Sequence, residues 1–507
     1  MLDLAKAKPI DRAKFTGIAQ FQPSCFCRSG GISTYTFPVS KKMIQIPPLH
    51  RWALIGTVLM QLFSGMPANA STCQQGVPIV VGDGRSGIEI DNAWSGATVA
   101  FDAIARGKLI YFGYYDADRW LTVAQLDPLS GVVCRSRLPS RFAGWDSHNS
   151  VALAFDSDGR LQVAANMHVS PLVYGAAASS DSIGDISLSP MIGRDEDRTT
   201  YPNFMTSADG RLYFAYRSGM SGNGEWFVNV RDGQSWQRVL NTPIFASTGS
   251  GSPTNAYPSA FRVSRDGYFH LAVVWRRAPD LATNYAITYA RTRDFVHWTD
   301  HNGKPIAPPL DPGNSDMIEA TGENEGLLNS ARVNVTVAGK PIVTYSRYGE
   351  DGKNIVVLAS PSGGLWRRSI IATAGRQTVA AGGGTVPSMP SFGDLNVSGS
   401  AVGSIDIAFP GEPRKRVFFD IKTLKVVDAP KVQAKSVGSH PPNVSPPPGL
   451  ANARKNSRGI RVEGKAGGAA GSMIYFSQGI NRDQARKCTS SQPNACNPPP
   501  SPIIFVP

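Results

Sequence analysis

The stretch DSDGRLQVAAN, residues 156–166, joins a glycine turn to an apolar strand. Asp-Gly before an apolar run is a strong β-turn signal, because glycine adopts positive φ without steric cost. The phrase recurs along the chain, so we treat it as the repeating unit of the fold. It occurs around Gly107, Gly159, Gly210, Gly267, Gly339 and, more weakly, Gly403.

The spacing of these turns predicts the architecture. Successive glycines are about 50 to 70 residues apart, which leaves room for roughly four short strands per repeat. A period of this size is typical of a β-propeller blade. Six visible repeats leave space for a seventh, less regular blade. The sequence therefore predicts an all-β, seven-bladed β-propeller, with a β-sandwich as the alternative.

Composition agrees with this fold class. The chain has 507 residues, 41% hydrophobic and 18% charged, with 51 Gly and 38 Pro, which favours short strands and turns over long helices. The formal net charge is +13, but residues 1–70 and 451–507 each carry eight Lys+Arg and two Asp+Glu. Residues 71–450 are close to neutral, which argues against a nucleic-acid-binding core.

The N-terminal 70 residues have the pattern of a targeting segment. Basic residues precede an apolar run from Trp52 to Phe63, and Ala68-Asn69-Ala70 follows it. This predicts a secretory signal cleaved after Ala70, with Met43 as a possible true initiator, and hence a secreted or periplasmic protein. A membrane anchor is the alternative, but the run is shorter than the ~20 residues that a span requires. We expect no stable membrane insertion after cleavage.

Residues 71–440 are predicted to form the propeller, and residues 441–507 a Pro/Gly-rich linker and tail. The proline-rich stretch HPPNVSPPPGL (440–450) cannot pair as a central strand, because proline lacks a backbone donor. Four cysteines remain after the signal. An even count in an exported chain suggests disulfides. The preferred pairs are Cys73–Cys134 and Cys488–Cys496, among three possible connectivities.

In three successive units, one polar residue lies before the repeat strand and a second lies at or just after its end. Equivalent positions in successive blades face one axis, so these side chains are expected to converge. A single Tyr or Arg at such a position more often only ends a strand. Histidine is scarce, with seven in the chain, which favours a functional role for the first pair. The pairs are His148 and His168, Tyr201 and Arg217, and Tyr257 and Arg276.

Several of these segments resemble the BNR-4 repeat family, a group of seven-bladed propellers that includes ulvan-type polysaccharide lyases. The resemblance covers roughly residues 80–430, and its most specific parts are WDSHNSVALAFDSDGRLQVAANMH (145–168) and YRSGMSGNG (216–224). It implies a catalytic site of two histidines, two tyrosines and an arginine. We add three neighbouring residues as substrate-binding candidates. The implied catalytic residues are His148, His168, Tyr201, Arg217 and Tyr257, and the added residues are Asn149, Trp275 and Arg276.

The chain departs from the family in its later blades. Zinc-bearing lyases of this group use His and Cys ligands there, whereas SARVNVTVAGKP (330–341) contains neither. We therefore predict no metal and no other cofactor. The expected partner is an acidic polysaccharide, without nucleic acid, and the expected state is a monomer.

These residue types suit β-elimination on a uronate-containing, ulvan-like glycan. An arginine such as Arg217 can neutralise the substrate carboxylate as the enolate develops. A neutral imidazole or a tyrosinate can take the C5 proton, and a tyrosine hydroxyl can return one to the leaving oxygen. The sequence thus predicts a secreted polysaccharide lyase.

Two other function classes stay open at the level of sequence. Sialidase-like BNR hydrolases are propellers, but the only Asp-box-like turn here, TRDFVHW (292–298), lacks its glycine. Glycosidases need two facing carboxylates, for which Asp146, Glu225 and Glu325 are candidates whose geometry the sequence does not fix. A non-catalytic glycan-binding propeller would keep the aromatic residues without a working acid–base set.

Overall fold

The computed structural model of the chain describes residues 71–142, 145–249, 251–384, 386, 389–397, 401–429, 442–465, 469–478 and 498–507. Residue contacts divide the chain into Met1–Ser64 and Gly65–Pro507, and the described residues all belong to the second unit. The predicted signal peptide and the predicted Cys488–Cys496 pair lie outside them. Regular structure in the described part is β, apart from a 3-10 helix at Leu281–Thr283. None of the described helical structure is long and apolar enough to cross a membrane.

Three strands open the described chain, and antiparallel sheets of four sequential strands then follow as blades. The opening strands are β1 (Thr72–Gln75), β2 (Val77–Val80) and β3 (Ser86–Ala93). Blade one contains β4 (Asp102–Arg106), β5 (Leu109–Tyr115), β6 (Trp120–Leu126) and β7 (Val132–Arg141). Blade two contains β8 (Ala152–Phe155), β9 (Leu161–Ala164), β10 (Tyr174–Ala177) and β11 (Ile186–Leu188). Blade three contains β12 (Thr199–Thr206), β13 (Leu212–Met220), β14 (Asn223–Asp232) and β15 (Ser235–Arg238).

Blade four is the most elaborate, because short strands extend its outer side. The hairpin β16 (Thr248–Gly249) and β17 (Ser252–Pro253) leads into it. Its strands are β18 (Asn255–Pro258), β19 (Arg262–Val263), β20 (Phe269–Arg276), β21 (Asn284–Thr292), β22 (Trp298–Thr299), β23 (Pro305–Ile306) and β24 (Asp316–Ala320). Blade five contains β25 (Arg332–Val335), β26 (Pro341–Tyr348), β27 (Asn354–Ser362) and β28 (Leu365–Thr373). Blade six contains β29 (Ser391–Phe392), β30 (Val402–Ala408), β31 (Lys415–Asp420) and β32 (Val426–Val427).

The seventh blade combines strands from both ends of the described chain. The C-terminal strands are β33 (Arg454–Gly459), β34 (Arg461–Val462), β35 (Ser472–Ser477) and β36 (Ser501–Val506). The sheet order is β2-β3-β36-β35-β33, so the N-terminal strands complete the blade on its outer side. Strand β34 instead runs parallel to β4 of blade one. The prediction of an all-β, seven-bladed propeller is confirmed.

The structure differs from the predicted propeller boundary at residue 440. Residues 454–506 were expected to belong to a Pro/Gly-rich tail, yet three of their strands lie in the seventh blade. The apolar residues of β36 explain this difference, because Ile503, Ile504, Phe505 and Val506 are all buried. Short apolar runs between Pro- and Gly-rich stretches were enough to form strands once β3 supplied a partner.

The repeated glycine turn has the same hydrogen bonds in different blades. Gly159, Gly210, Gly267 and Gly339 have φ between +75° and +86°, and each donates its N–H to the carbonyl three residues earlier. The side chain at that earlier position, such as Asp156 or Thr336, also accepts from the backbone just after the glycine. Gly403 is different, because it lies within β30 with the Phe419 ring 2.5 Å from the position of a Cβ. The sixth repeat therefore has the predicted strand but not the predicted turn.

Adjacent blades pack through apolar and aromatic faces. At the closure of the ring, Phe101 of blade one contacts Tyr475 of β35 with ring centroids 4.6 Å apart, and the Tyr475 hydroxyl donates to the Val99 carbonyl at 2.7 Å. The disulfide Cys73–Cys134 joins β1 to the outer strand of blade one, as predicted. The first described strand is thereby fixed to the outer edge of blade one.

Candidate active site

Asp146 binds the two histidines that bracket the first repeat. It lies just before β8, is buried, and accepts from Nδ1 of His148 on one carboxylate oxygen at 2.6 Å. Its second oxygen binds Nδ1 of His168, which follows β9. The two imidazoles stack with centroids 4.1 Å apart and an interplanar angle of 21°. The turn and strand between the histidines thus bring them face to face over one carboxylate.

The backbone around His168 is unusual. Asn166 and Val169 have φ of +57° and +53°, a region that is costly for a β-branched residue such as valine. The Val169 N–H donates to Thr200 Oγ1 at 2.9 Å, and Asn166 Nδ2 donates to Ser140 Oγ at 2.8 Å. Residues held in such conformations typically cost ~1–3 kcal/mol each and cluster at functional sites.

Blade three contributes Tyr201 and Arg217. Tyr201 has φ of +62° and lies where the register between β12 and β13 shifts. Its ring lies parallel to that of Trp226 and 5.8 Å from that of His148. The Arg217 guanidinium is over the Tyr201 ring at 4.8 Å, and Nη2 makes only a long contact of 3.5 Å with Thr200 Oγ1. Arg217 is 4% exposed, and its Nε has no hydrogen-bond partner among the described residues.

Blade four repeats this Tyr–Arg pair with a different outcome. The Arg276 guanidinium lies over the Tyr257 ring at 4.4 Å, and Nη1 donates to the Tyr257 hydroxyl at 3.3 Å. Ser221 Oγ lies 2.7 Å from the same hydroxyl. Arg276 also donates to the side chains of Asn284 and Asn329, at 2.8 and 3.0 Å. The arginine of blade four is satisfied by protein groups, whereas that of blade three is not.

These side chains surround one open cleft of about 300 Å³. Its polar lining includes the two histidines and the two Tyr–Arg pairs, and its apolar lining includes Leu281, Leu328, Val386 and Met389. None of the described residues that line it is Asp or Glu. A second cavity of about 380 Å³ shares Tyr201, Tyr257 and Asn329 with it and extends along β12 and β18. The cleft is therefore lined by cationic and aromatic side chains, and imidazole and phenol groups are chemically able to transfer protons.

Burial and hydrogen bonding set the charge states. Burial alone would raise the pKa of Asp146, but hydrogen bonds from His148 and His168 outweigh it and hold that pKa well below its usual range. Burial raises the pKa of Tyr201, although the positive charge of Arg217 opposes this. Asp146 is therefore ionised and Tyr201 protonated at neutral pH.

The structure brings together the predicted catalytic residues His148, His168, Tyr201, Arg217 and Tyr257 around this cleft, with the substrate-binding candidate Arg276. Trp275 is a correction: it is fully buried in the core of blade four, where its Nε1 donates to Thr288, so it cannot contact a glycan. Trp275 immediately precedes Arg276 on β20, and neighbouring residues on a strand point to opposite faces, so its side chain points away from the cleft.

Asn149 lies beside the site and not on its lining. Its Nδ2 donates to the Asp146 carbonyl at 3.2 Å, and its own carbonyl accepts from Tyr115. Sequence reasoning missed the roles of Asp146, Ser221 and Asn329. For Asp146 a signal existed, since the aspartate two residues before His148 can reach its ring nitrogen; for Ser221 and Asn329 there was none.

Among the described residues, Asp146, His148 and His168 form a group whose ligand atoms are close enough together to hold a metal ion. Each offers a ligand atom, and these atoms lie within 4.8 Å of one another. Both Nδ1 atoms are already at hydrogen-bond distance from separate oxygens of one carboxylate. A cation at that position would have to replace both hydrogen bonds, so the geometry fits a hydrogen-bonded triad without a metal. The absence of a cofactor stays a prediction.

Comparison with known families agrees with this geometry. Residues 109–374, just over half of the chain, match the model described as BNR repeat-containing family member. The chain belongs to this family. The matched range contains the cleft's histidines, tyrosines and arginines, whereas Val386 and Met389 of its apolar lining lie beyond it. The sequence matches no curated protein.

Solved structures similar to this BNR repeat protein include polysaccharide lyases. The polysaccharide lyase Uly1 has a TM-score of 0.50 and 14% identity, over 82% of this chain and 92% of that one. An ulvan lyase of family PL25, bound to -[GlcA(1-4)Rha3S]-, has a TM-score of 0.52 and 10% identity, over 76% of this chain and 92% of that one. At these identities the likeness establishes the shared fold.

Proposed function

We propose that the protein is a polysaccharide lyase that cleaves a uronate-containing, ulvan-like glycan by β-elimination. The observation that carries the proposal is Arg217, a buried guanidinium on the lining of an open cleft: it makes only a long contact with Thr200, and its Nε has no hydrogen-bond partner among the described residues. Unsatisfied buried charge is costly, and it is retained where a ligand completes it. A planar carboxylate matches a guanidinium through two parallel hydrogen bonds. Arg217 is therefore the proposed binding group for the uronate carboxylate.

The other residues of the cleft complete an elimination. An imidazole of the His148–His168 pair takes the C5 proton, and the electron pair of that C–H bond forms the C4–C5 double bond. The bond from C4 to the glycosidic oxygen breaks, and the Tyr201 hydroxyl donates its proton to that oxygen. Arg217 stabilises the charge that builds on the carboxylate between these events. No water nucleophile and no cofactor is used.

The residues on the cleft wall argue against the hydrolase alternative. Glycosidases use two carboxyl groups across the scissile bond, and the described lining contains none. The nearest carboxylate, Asp146, has both oxygens occupied by imidazoles. Glu225 and Glu325, the other candidates, are not among the lining residues either. The similarity in fold to two polysaccharide lyases, one of them bound to a uronate-containing oligosaccharide, supports the same substrate class.

We further propose that the protein acts outside the cytoplasm as a monomer, after cleavage behind Ala70. The disulfide Cys73–Cys134 supports this, because such bonds persist in oxidising compartments. N-terminal sequencing of the protein from culture medium or periplasm is expected to begin at Ser71. A soluble cytoplasmic product with an intact N-terminus would contradict it.

The decisive experiment for the lyase is incubation with a panel of acidic glycans, with detection of the ultraviolet absorbance of the unsaturated uronate product. We expect a new absorbance and new reducing ends in equal amounts. Reducing ends without absorbance would identify a hydrolase. Binding without either would identify a glycan-binding propeller.

A further inference from the structure

The carboxylate of Asp146 has a role that the elimination chemistry alone does not assign. We propose that Asp146 is a positioning residue: its two oxygens hold the imidazoles of His148 and His168 in one tautomer and one orientation, with Nε2 of each as the proton-accepting nitrogen. The inference deepens the proposed lyase function and rests on it for the kinetic consequence. The tautomer itself is a property of the resting protein, and it can be measured whatever the substrate is.

The hydrogen bonds determine the tautomers. An ionised carboxylate only accepts hydrogen bonds, so each Nδ1 that contacts Asp146 must carry a hydrogen. In a neutral imidazole the other nitrogen, Nε2, is then the acceptor. Asp146 is not on the cleft lining, whereas both histidines are. The ring edges that bear Nε2 are therefore on the side away from Asp146.

Further contacts restrict the orientation of the rings. The same Asp146 oxygen that binds the His148 ring also accepts from the His148 backbone N–H at 2.9 Å, which closes a short local turn. The two rings stack on each other, and the Tyr201 ring meets His148 edge to face. Rotation of one imidazole would break its bond to Asp146 and disturb the stack. A carboxylate shared by two stacked rings thus restrains both at once.

This arrangement differs from the other Asp–His pairs of the protein. His301 binds Asp316 through Nδ1 at 2.7 Å and is largely buried, and His297 binds Asp294 at 2.7 Å on the surface. Neither pair lines the cleft, and in each the carboxylate serves a single histidine. Asp316 is accordingly the matched control for Asp146: a substitution there removes a buried Asp–His bond at a distance from the cleft.

The first test measures tautomers by ¹⁵N NMR of the full protein labelled at histidine, with His148 and His168 assigned by their substitution to Gln. In the wild type we expect a hydrogen on Nδ1 of both rings, because each of these nitrogens faces an oxygen of Asp146. In Asp146→Asn the side chain offers one acceptor and one donor, so one ring is expected to lose the Nδ1–H tautomer. An unprotonated Nδ1 on either ring of the wild type would overturn the proposal, and this arm does not depend on folding of the variant.

The second test separates positioning from binding. In a serine protease triad, a comparable Asp→Asn change lowers kcat by about 10⁴-fold through the wrong tautomer. For Asp146→Asn we expect a loss in kcat of about 10² to 10⁴-fold with KM within about threefold, while Asp316→Asn keeps kcat within about threefold. A kcat within threefold of the wild type for Asp146→Asn would overturn the proposal. So would a stoichiometric transition metal in the purified protein whose chelation releases both histidines, because Asp146 would then be a ligand. If no glycan is cleaved at all, the NMR result still decides the tautomers, and only the proposed function falls.

Discussion

Replacement of Arg217 by alanine should cost activity and almost no stability. The guanidinium is buried, makes one hydrogen bond to the described residues, a long one to Thr200 at 3.5 Å, and lies over the Tyr201 ring. Its removal loses this bond and the stacking on Tyr201, but it also removes a desolvated charge. Because these effects oppose each other, we expect the free energy of unfolding to change by less than about 1 kcal/mol. A preorganised group that stabilises developing charge typically contributes about 3 kcal/mol to the transition state. We expect kcat to fall by about a hundredfold.

Arg276→Ala is the matched comparison, because it removes the same side chain from the same stacking position in the next blade. Here the guanidinium donates to Asn284, Asn329 and the Pro279 carbonyl, at 2.8, 3.0 and 3.3 Å. Each hydrogen bond to a charged group contributes about 1.5–3 kcal/mol, and the partners would be left unsatisfied. We therefore expect Arg276→Ala to lose at least about 3 kcal/mol of stability.

Urea unfolding and initial rates on a uronate glycan measure the two effects. Arg217→Lys should recover only part of the rate, since an ammonium group cannot make the planar two-bond contact. The reasoning would be refuted if Arg217→Ala kept kcat within about threefold of the wild type. Equal losses of stability in the two alanine variants would also refute it, because the additional hydrogen bonds of Arg276 would then contribute nothing to the free energy of unfolding.

Three further predictions concern the fold. Deletion of residues 501–507 removes four buried apolar side chains of β36, whose burial contributes about 6 to 12 kcal/mol. This is comparable with the whole stability of a domain, so we expect the truncated protein not to fold. Cooperative unfolding of the truncated protein, followed by circular dichroism, would contradict this. Replacement of Cys73 and Cys134 by serine opens a loop with a sequence separation of 61 and should cost about 4 kcal/mol, measured as a lower urea midpoint than in the oxidised wild type. Burial lowers the pKa of His270 to about 4 from 6.5, so its contribution to stability is complete above pH 6.5 and is lost as the pH falls towards 4, at most roughly 3 kcal/mol. His270→Gln should weaken this acid dependence of the urea midpoint.

The repeat and the convergence of the cleft's side chains could be predicted from the sequence because both depend on local patterns. Glycine turns such as that at Gly159 fix a strand boundary within a few residues, and equivalent boundaries in neighbouring blades face the same axis. Residues at those boundaries, such as Tyr201 and Tyr257, therefore met in space as expected. Trp275 and Arg276 are adjacent on β20 and therefore occupy opposite faces of it. Only one of the two could line the cleft.

Other features depend on contacts between distant parts of the chain. The strand β36 is a short apolar run among prolines, and only its pairing with β3 makes it part of the ring. Val169 and Tyr201 have left-handed backbone conformations, which residues of these types normally avoid. Their identity therefore gave no indication of this conformation. The contrast between Arg217 and Arg276 likewise depends on Asn284 and Asn329, which local patterns do not relate to either arginine.

The seventh blade also constrains the order in which the protein folds. Glu89 in β3 and Ile504 in β36 are paired although almost the whole propeller lies between them in sequence, and contacts of such separation form slowly. Until they form, six blades would be present in an open ring, with β4 of blade one lacking its parallel neighbour β34. Exposed strand edges of that kind recruit other chains. The interval between the emergence of the sixth blade and the arrival of β36 is therefore the period in which this protein is most exposed to aggregation.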